Sequence, residues 1–263
     1  MMRKTVLSAL TLSLGLSACT TSPLGRSQLS LFDSNDIDQQ GQKAFEEYRQ
    51  SHKQATGRDG KYVTCIADAI IDTLPEGQGP SKWTVGVYQD DEPNAFALPG
   101  GYVVINTGLM SVAKNQDQIA TVVGHEMAHV LAHHANERSS TQSLTSTGLG
   151  VVQSVTGSSA LAQLLGAGAQ YGVLLPYSRR QESEADLLGL DLMARAGFDP
   201  RASIALWQNM SAASKGGPPT WASTHPNDGE RSKALEGRMQ SAIKLSEQAH
   251  AAGHDPNCGS ISS

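Results

Sequence analysis

Residues 122–131 read Val122-Val123-Gly124-His125-Glu126-Met127-Ala128-His129-Val130-Leu131. The His-Glu-x-x-His at their centre decides how the rest is read. On a helix, His125 and His129 lie one turn apart, about 6 Å at the backbone, on one face. Two imidazoles so placed reach a single zinc ion at about 2.0–2.1 Å. Glu126 lies roughly 100° round the helix. From there it addresses a water activated by the ion rather than the ion itself, the position of a general base for peptide hydrolysis. Ile119, Ala120, Val122, Val123, Met127, Ala128, Val130 and Leu131 wrap the motif in apolar side chains with no proline among them. The polar run from Lys114 to Gln118 can start the helix. A buried catalytic helix is the expectation.

Outward from this helix, Trp83 to Tyr88 alternates as a strand, and Tyr102 to Asn106 is a second. Between them Asn94-Ala95-Phe96-Ala97 and Pro99-Gly100-Gly101 follow an acidic turn, and Gly108 to Val112 reads as a short helix. Upstream, a charged helix runs from Asp36 to about Gln54. One with an apolar face spans residues 62–74 and stops at Pro75. Downstream, residues 178–196, Arg201 to Ala213 and Glu230 to Ala251 are helical. Residues 141–175, rich in Gly, Ala, Ser, Leu and Val, either form a hairpin over the site or membrane, or pack on the core; packing is preferred. No repeat of 20 to 50 residues is present.

The chain has 263 residues, 39% hydrophobic and 17% charged, enough for a real core. A net charge of −5 gives no case for binding nucleic acid. Arg3 and Lys4 precede the apolar stretch Val6 to Leu16, which is too short for a stable span. That stretch ends in Leu16-Ser17-Ala18-Cys19, which resembles the lipobox of bacterial lipoproteins. The resemblance implies a signal peptide over 1–18, lipid on Cys19, and a membrane tether over 19–34. Thr20 in place of aspartate implies the outer membrane, facing the periplasm. The main domain is expected over 35–255 and a tail over 256–263. In an oxidising compartment the two remaining cysteines, Cys65 and Cys258, are expected to pair.

A third ligand is needed, because a catalytic zinc takes three protein ligands and keeps one position open. Glu182-Ser183-Glu184-Ala185-Asp186 lies downstream. His-Glu-x-x-His followed by Glu-x-x-Ala-Asp resembles the gluzincin peptidases of the CAAX-protease, HtpX, BepA and LoiP type, with small secreted lipoproteins of the LoiP kind most alike. The likeness covers roughly residues 60–240. It includes Asn94 to Ala97, Pro99 to Gly101, Ala196-Gly197-Phe198-Asp199-Pro200 and His225-Pro226. It implies an α+β fold: a mainly helical zincin-like domain with a small sheet whose edge strand precedes the motif helix.

The same likeness makes Glu182 the third ligand of one zinc ion per chain. Spacing agrees, since Glu182 and Asp186 share a helix face and Glu184 points away. Asp186 is then placed to accept a hydrogen bond from His125. His133 and His134 are excluded as ligands: His133 stands about 12 Å along the axis from His125, and both read as end-of-helix residues favoured by the helix dipole. By likeness His225 lies near the zinc, as oxyanion donor or as a fourth ligand that silences the site, and Arg231 supports its loop or the transition-state charge. The family's substrate lies extended along an edge strand, here Asn94, Ala95, Phe96 and Ala97. The expected substrates are unfolded or misfolded envelope proteins. The rival reading is a zinc-containing chaperone or assembly factor with its site closed by His225.

Overall fold

The structure is a computed structural model and describes residues 19–156, 175–213, 225 and 229–261. The signal peptide expected at 1–18 and residues 157–174 of the 141–175 segment lie outside the described residues. Thirteen elements bear on the site. Two short strands, β1 (Cys19–Thr21) and β2 (Ser27–Leu29), pair antiparallel. Helices α1 (Ser34–Ser51) and α2 (Arg58–Ile71) follow. Strands β3 (Thr84–Tyr88), β4 (Ala95–Leu98) and β5 (Tyr102–Asn106) form a sheet in the order β3-β5-β4. Then come α3 (Leu109–Val112), α4 (Gln116–Leu131), α5 (His134–Thr156), α6 (Leu175–Arg195), α7 (Ala202–Ala213) and α8 (Gly229–Ala251).

Helix α4 organises the core. Asn115 caps it, its side chain accepting from Gln118 N at 3.0 Å, so the buried first turn is not left with that donor unpaired. Almost every residue of α4 is buried. Ile66 and Ile70 of α2, Val103 and Ile105 of β5, and Leu190 and Met193 of α6 complete one apolar cluster with it. Helix α6 lies closest, because Gly124 and Gly189 meet: a Cβ on Gly124 would stand 2.7 Å from Gly189 O, and one on Gly189 2.7 Å from His125 N. On the far side of the sheet, Phe45 of α1 packs with Tyr88 and Val104.

Strand β4 runs antiparallel to β5 and forms the edge of the sheet, with β3 parallel on the other side. Asn94 lies just before β4; its carbonyl accepts from Asn106 N at 2.9 Å. At the other end of the chain, Cys258 is disulfide-bonded to Cys65 of α2, with 5.7 Å between Cα atoms. Gln116 clasps this tail from both sides, donating to Pro256 O at 2.8 Å and accepting from Cys258 N at 3.0 Å.

Two sequence expectations need correction. Residues 19–29 are not a free tether but a hairpin fastened to the body. Gln28 is buried and donates to the carbonyl of Ala132 at 2.5 Å, and Leu31 N donates to Ser140 Oγ. A segment this polar is held by buried polar partners that composition does not reveal. The early turns of the 141–175 segment belong to α5, and residues 142–148 are exposed or half-buried rather than packed in the core. The motif helix, for its part, stops just before His133 and His134, in keeping with their reading as end-of-helix residues. It ends at Leu131, His133 takes a left-handed backbone (φ 50°), and α5 starts afresh. The break turns His134 back towards the motif.

Candidate metal centre

His125 and His129 stand on one face of α4, their Nε2 atoms 3.1 Å apart. Glu182 comes across from α6, with Oε2 3.3 Å from His125 Nε2 and Oε1 3.4 Å from His129 Nε2. Three donors each about 2.05 Å from one tetrahedral ion would stand about 3.3 Å from one another. The observed spacing therefore fits a small divalent cation, as does the chemistry of two imidazoles and one carboxylate. His225 adds a fourth donor: its Nδ1 is 2.9 Å from Glu182 Oε2 and 3.3 Å from His125 Nε2. One ligand atom from each of the four lies within 4.8 Å of the others, and all four residues are buried.

Glu126 is buried next to this set, with Oε1 3.5 Å from His225 Nε2. That oxygen has no hydrogen-bond partner among the described residues. A buried carboxylate oxygen left this way is costly unless it has work to do.

Each motif histidine has a polar group behind it within hydrogen-bond distance of Nδ1. His125 Nδ1 is 3.0 Å from Asp186 Oδ1. Asp186 in turn takes a fork from Arg231, Nε at 2.6 Å and an NH2 group at 2.8 Å. Arg231 also donates to the carbonyl of His225 at 3.3 Å, so it ties the His225 loop to α6. Behind His129 stands His134, Nδ1 to Nδ1 at 2.8 Å, and His134 Nε2 is 3.2 Å from Glu184 Oε2. Sequence reasoning set both His134 and Glu184 aside. The left-handed turn at His133 was the missing fact, and nothing in the composition announces it.

The electrostatics follow from burial and these contacts. Burial pushes the His125 imidazolium down, but Asp186 and Glu182 outweigh it and hold it at about 9. Burial wins at His129, which is held well below the usual histidine range. Glu182 is held well below the usual carboxylate range: burial opposes ionisation, and His129, His125 and His225 overcome it. Burial also opposes ionisation at Asp186, where Arg231 prevails and holds it ionised.

A cavity of about 220 Å³ opens beside the set. Ala97, Leu98 and Pro99, at the end of the edge strand, line it together with His129, Val130 and His133 and with Ile37 and Asp38 of α1. Of the expected substrate strand, Ala95, Phe96 and Ala97 lie in β4 and Asn94 just before it; Ala97 is the one that borders this cavity. Among the described residues, no helix is long and apolar enough to cross a membrane.

Known proteins share much of this chain. The mitochondrial metalloendopeptidase OMA1 of Schizosaccharomyces pombe is 38% identical over 178 residues, covering 66% of this chain and 51% of that protein. Metalloendopeptidase OMA1 of Bos taurus is 32% identical over 254 residues, 88% of this chain and 48% of its own length. The beta-barrel assembly-enhancing protease of Escherichia coli is 32% identical over 149 residues, 52% of this chain and 30% of its own. The chain thus spans about half the length of its mitochondrial relatives and less of the bacterial one. The motif helix, the edge strand before it and the carboxylate helix after it all fall within residues 59–239, which match the sequence model of peptidase family M48, and the chain belongs to that family.

Proposed function

We propose that the protein is a zinc-dependent endopeptidase of the bacterial cell envelope that cleaves unfolded or misfolded chains. The observation that carries this reading is the buried Glu126 oxygen without a hydrogen-bond partner, set beside the donors of His125, His129 and Glu182. A purely structural metal site has no use for such a carboxylate. A zinc ion held by those three residues supplies Lewis-acid polarisation of a carbonyl and lowers the pKa of water to about 7. Glu126 takes a proton from the attacking water and returns it to the leaving nitrogen. Asp186 and Arg231 hold His125 in the tautomer that leaves its Nε2 lone pair free. Substrate lies extended along β4, bonded through backbone, which selects unfolded chains over one side-chain sequence.

The envelope assignment rests on the lipobox-like Leu16 to Cys19 and on the exposed position of Cys19. Lipid on Cys19 would place the protein at the outer membrane. Another relative, from Yersinia pestis, also bears the name beta-barrel assembly-enhancing protease, in keeping with work in an envelope.

A second reading is favoured by one observation, the place of His225 Nδ1 among the donors. With His225 as a fourth ligand the site is closed, and the protein acts as a zinc-containing chaperone or assembly factor. The experiment is zinc analysis and casein cleavage by the mature chain. Glu126→Gln keeps one zinc per chain and cleaves at least about 100-fold more slowly. Wild type that holds zinc and never cleaves unfolded substrates favours the second reading. In the same assay a more active His225→Ala marks the histidine as a latch, and a less active one as a catalytic residue.

A further inference from the structure

Beyond the donor set lies a second buried cluster, built on two carboxylates. Glu137 of α5 and Glu184 of α6 are 1% and 5% exposed and share one cation, Arg26. Its guanidinium meets Glu184 through Nε at 2.8 Å and an NH2 group at 2.7 Å. It meets Glu137 through two further N–H groups at 2.5 and 2.7 Å. Ser22 Oγ donates to the other oxygen of Glu184. Gln181 donates to Glu137 at 3.1 Å and Gln28 at 3.2 Å. Two buried anions with no cation between them would be strongly unfavourable. The cation comes from the N-terminal hairpin, 158 residues away from Glu184 in the chain.

With His134 neutral, the direction of each hydrogen bond from this cluster inward follows from the contacts. Glu184, ionised against Arg26, can only accept, so His134 carries its proton on Nε2. His134 Nδ1 is then an acceptor, and the bond between the two Nδ1 atoms requires the proton on His129. His129 Nε2 is left as a bare lone pair facing Glu182 and His125. The arrangement parallels the other side of the centre, where Arg231 and Asp186 do the same for His125.

We infer that Arg26 is a positioning residue of the metal centre, fixing the tautomer of His129 through Glu184 and His134, so that the N-terminal hairpin is a working part of the site. This rests on the reading of His129 as a ligand. The test is zinc affinity of the full mature chain by chelator competition, with thermal melting of the metal-free protein in parallel. Arg26→Gln weakens zinc binding about 10–100-fold, in the range of outer-shell changes at zinc sites. Arg26→Lys keeps a cation at the cluster and recovers part of the loss. His134→Asn leaves the Arg26 cluster whole and shows a similar loss, and the double variant loses no more than either single one.

The inference is overturned if Arg26→Gln folds and binds zinc within twofold of wild type, since Arg26 then only fastens the hairpin. It is also overturned if the two losses multiply. Should Arg26→Gln fail to fold, His134→Asn decides alone: unchanged zinc affinity there means the relay is idle. His129→Ala separates this inference from its premise. Loss of zinc there with intact binding in Arg26→Gln refutes the relay alone, whereas intact binding in His129→Ala refutes the centre itself.

Discussion

His125 and His129 differ in how their protons are set, and only one arrangement is readable from spacing. Asp186 follows Glu182 by four residues, so one helix carries both the candidate ligand and the group that orients His125. His134 reaches His129 because the chain reverses at a left-handed residue, and a run of two histidines gives no warning of that. Residue-level cost is also visible away from the centre. The Tyr62 hydroxyl is buried and has no hydrogen-bond partner among the described residues. Burial pushes its ionisation from 10.0 up to about 12. Tyr62→Phe is therefore expected to be neutral or to stabilise the fold by up to about 1 kcal/mol at pH 7. The sign with pH follows. Below about 10 the tyrosine is neutral in both states; as pH rises from there towards 12 the unfolded chain ionises first, and stability falls. Urea unfolding between pH 8 and 11.5 should show a shallower decline for the variant.

At the scale of elements, the centre depends on how closely α4 and α6 approach. Gly124 and Gly189 face each other with no room for a side chain, which brings Glu182 within reach of two imidazoles. Gly189→Ala would press a methyl group against the backbone of His125. The expected result is a loss of about 1–3 kcal/mol in stability together with weaker zinc binding. Thermal melting and chelator competition on the same sample check both. Most elements were legible in the sequence, because apolar periodicity marks α2, α4 and the sheet strands and proline or glycine marks their ends. The motif helix and the Glu182 helix were legible as chemistry too. The N-terminal hairpin was not: Ser22, Arg26 and Gln28 look like tether residues until their partners on α5 and α6, more than a hundred residues away, are in place. Glu184 does point away from the ligand face, as its spacing indicates, but its burial against Arg26 could not be read from spacing.

At the scale of the whole molecule, two long-range links stand out among the described residues. The hairpin joins Arg26 to Glu137 and Glu184, and the disulfide joins residue 258 to α2 across 193 positions. Removing that cross-link by Cys65→Ser with Cys258→Ser should cost about 2–4 kcal/mol, read as a lowered midpoint in urea, while zinc stoichiometry is kept.

The most direct measurement is an anomalous difference map at the zinc edge from crystals of the zinc-loaded chain. One peak per chain is predicted, bounded by His125 Nε2, His129 Nε2 and the Glu182 carboxylate, and missing from Glu182→Gln. A peak elsewhere, or none with Glu182 turned away from the two histidines, would contradict the account.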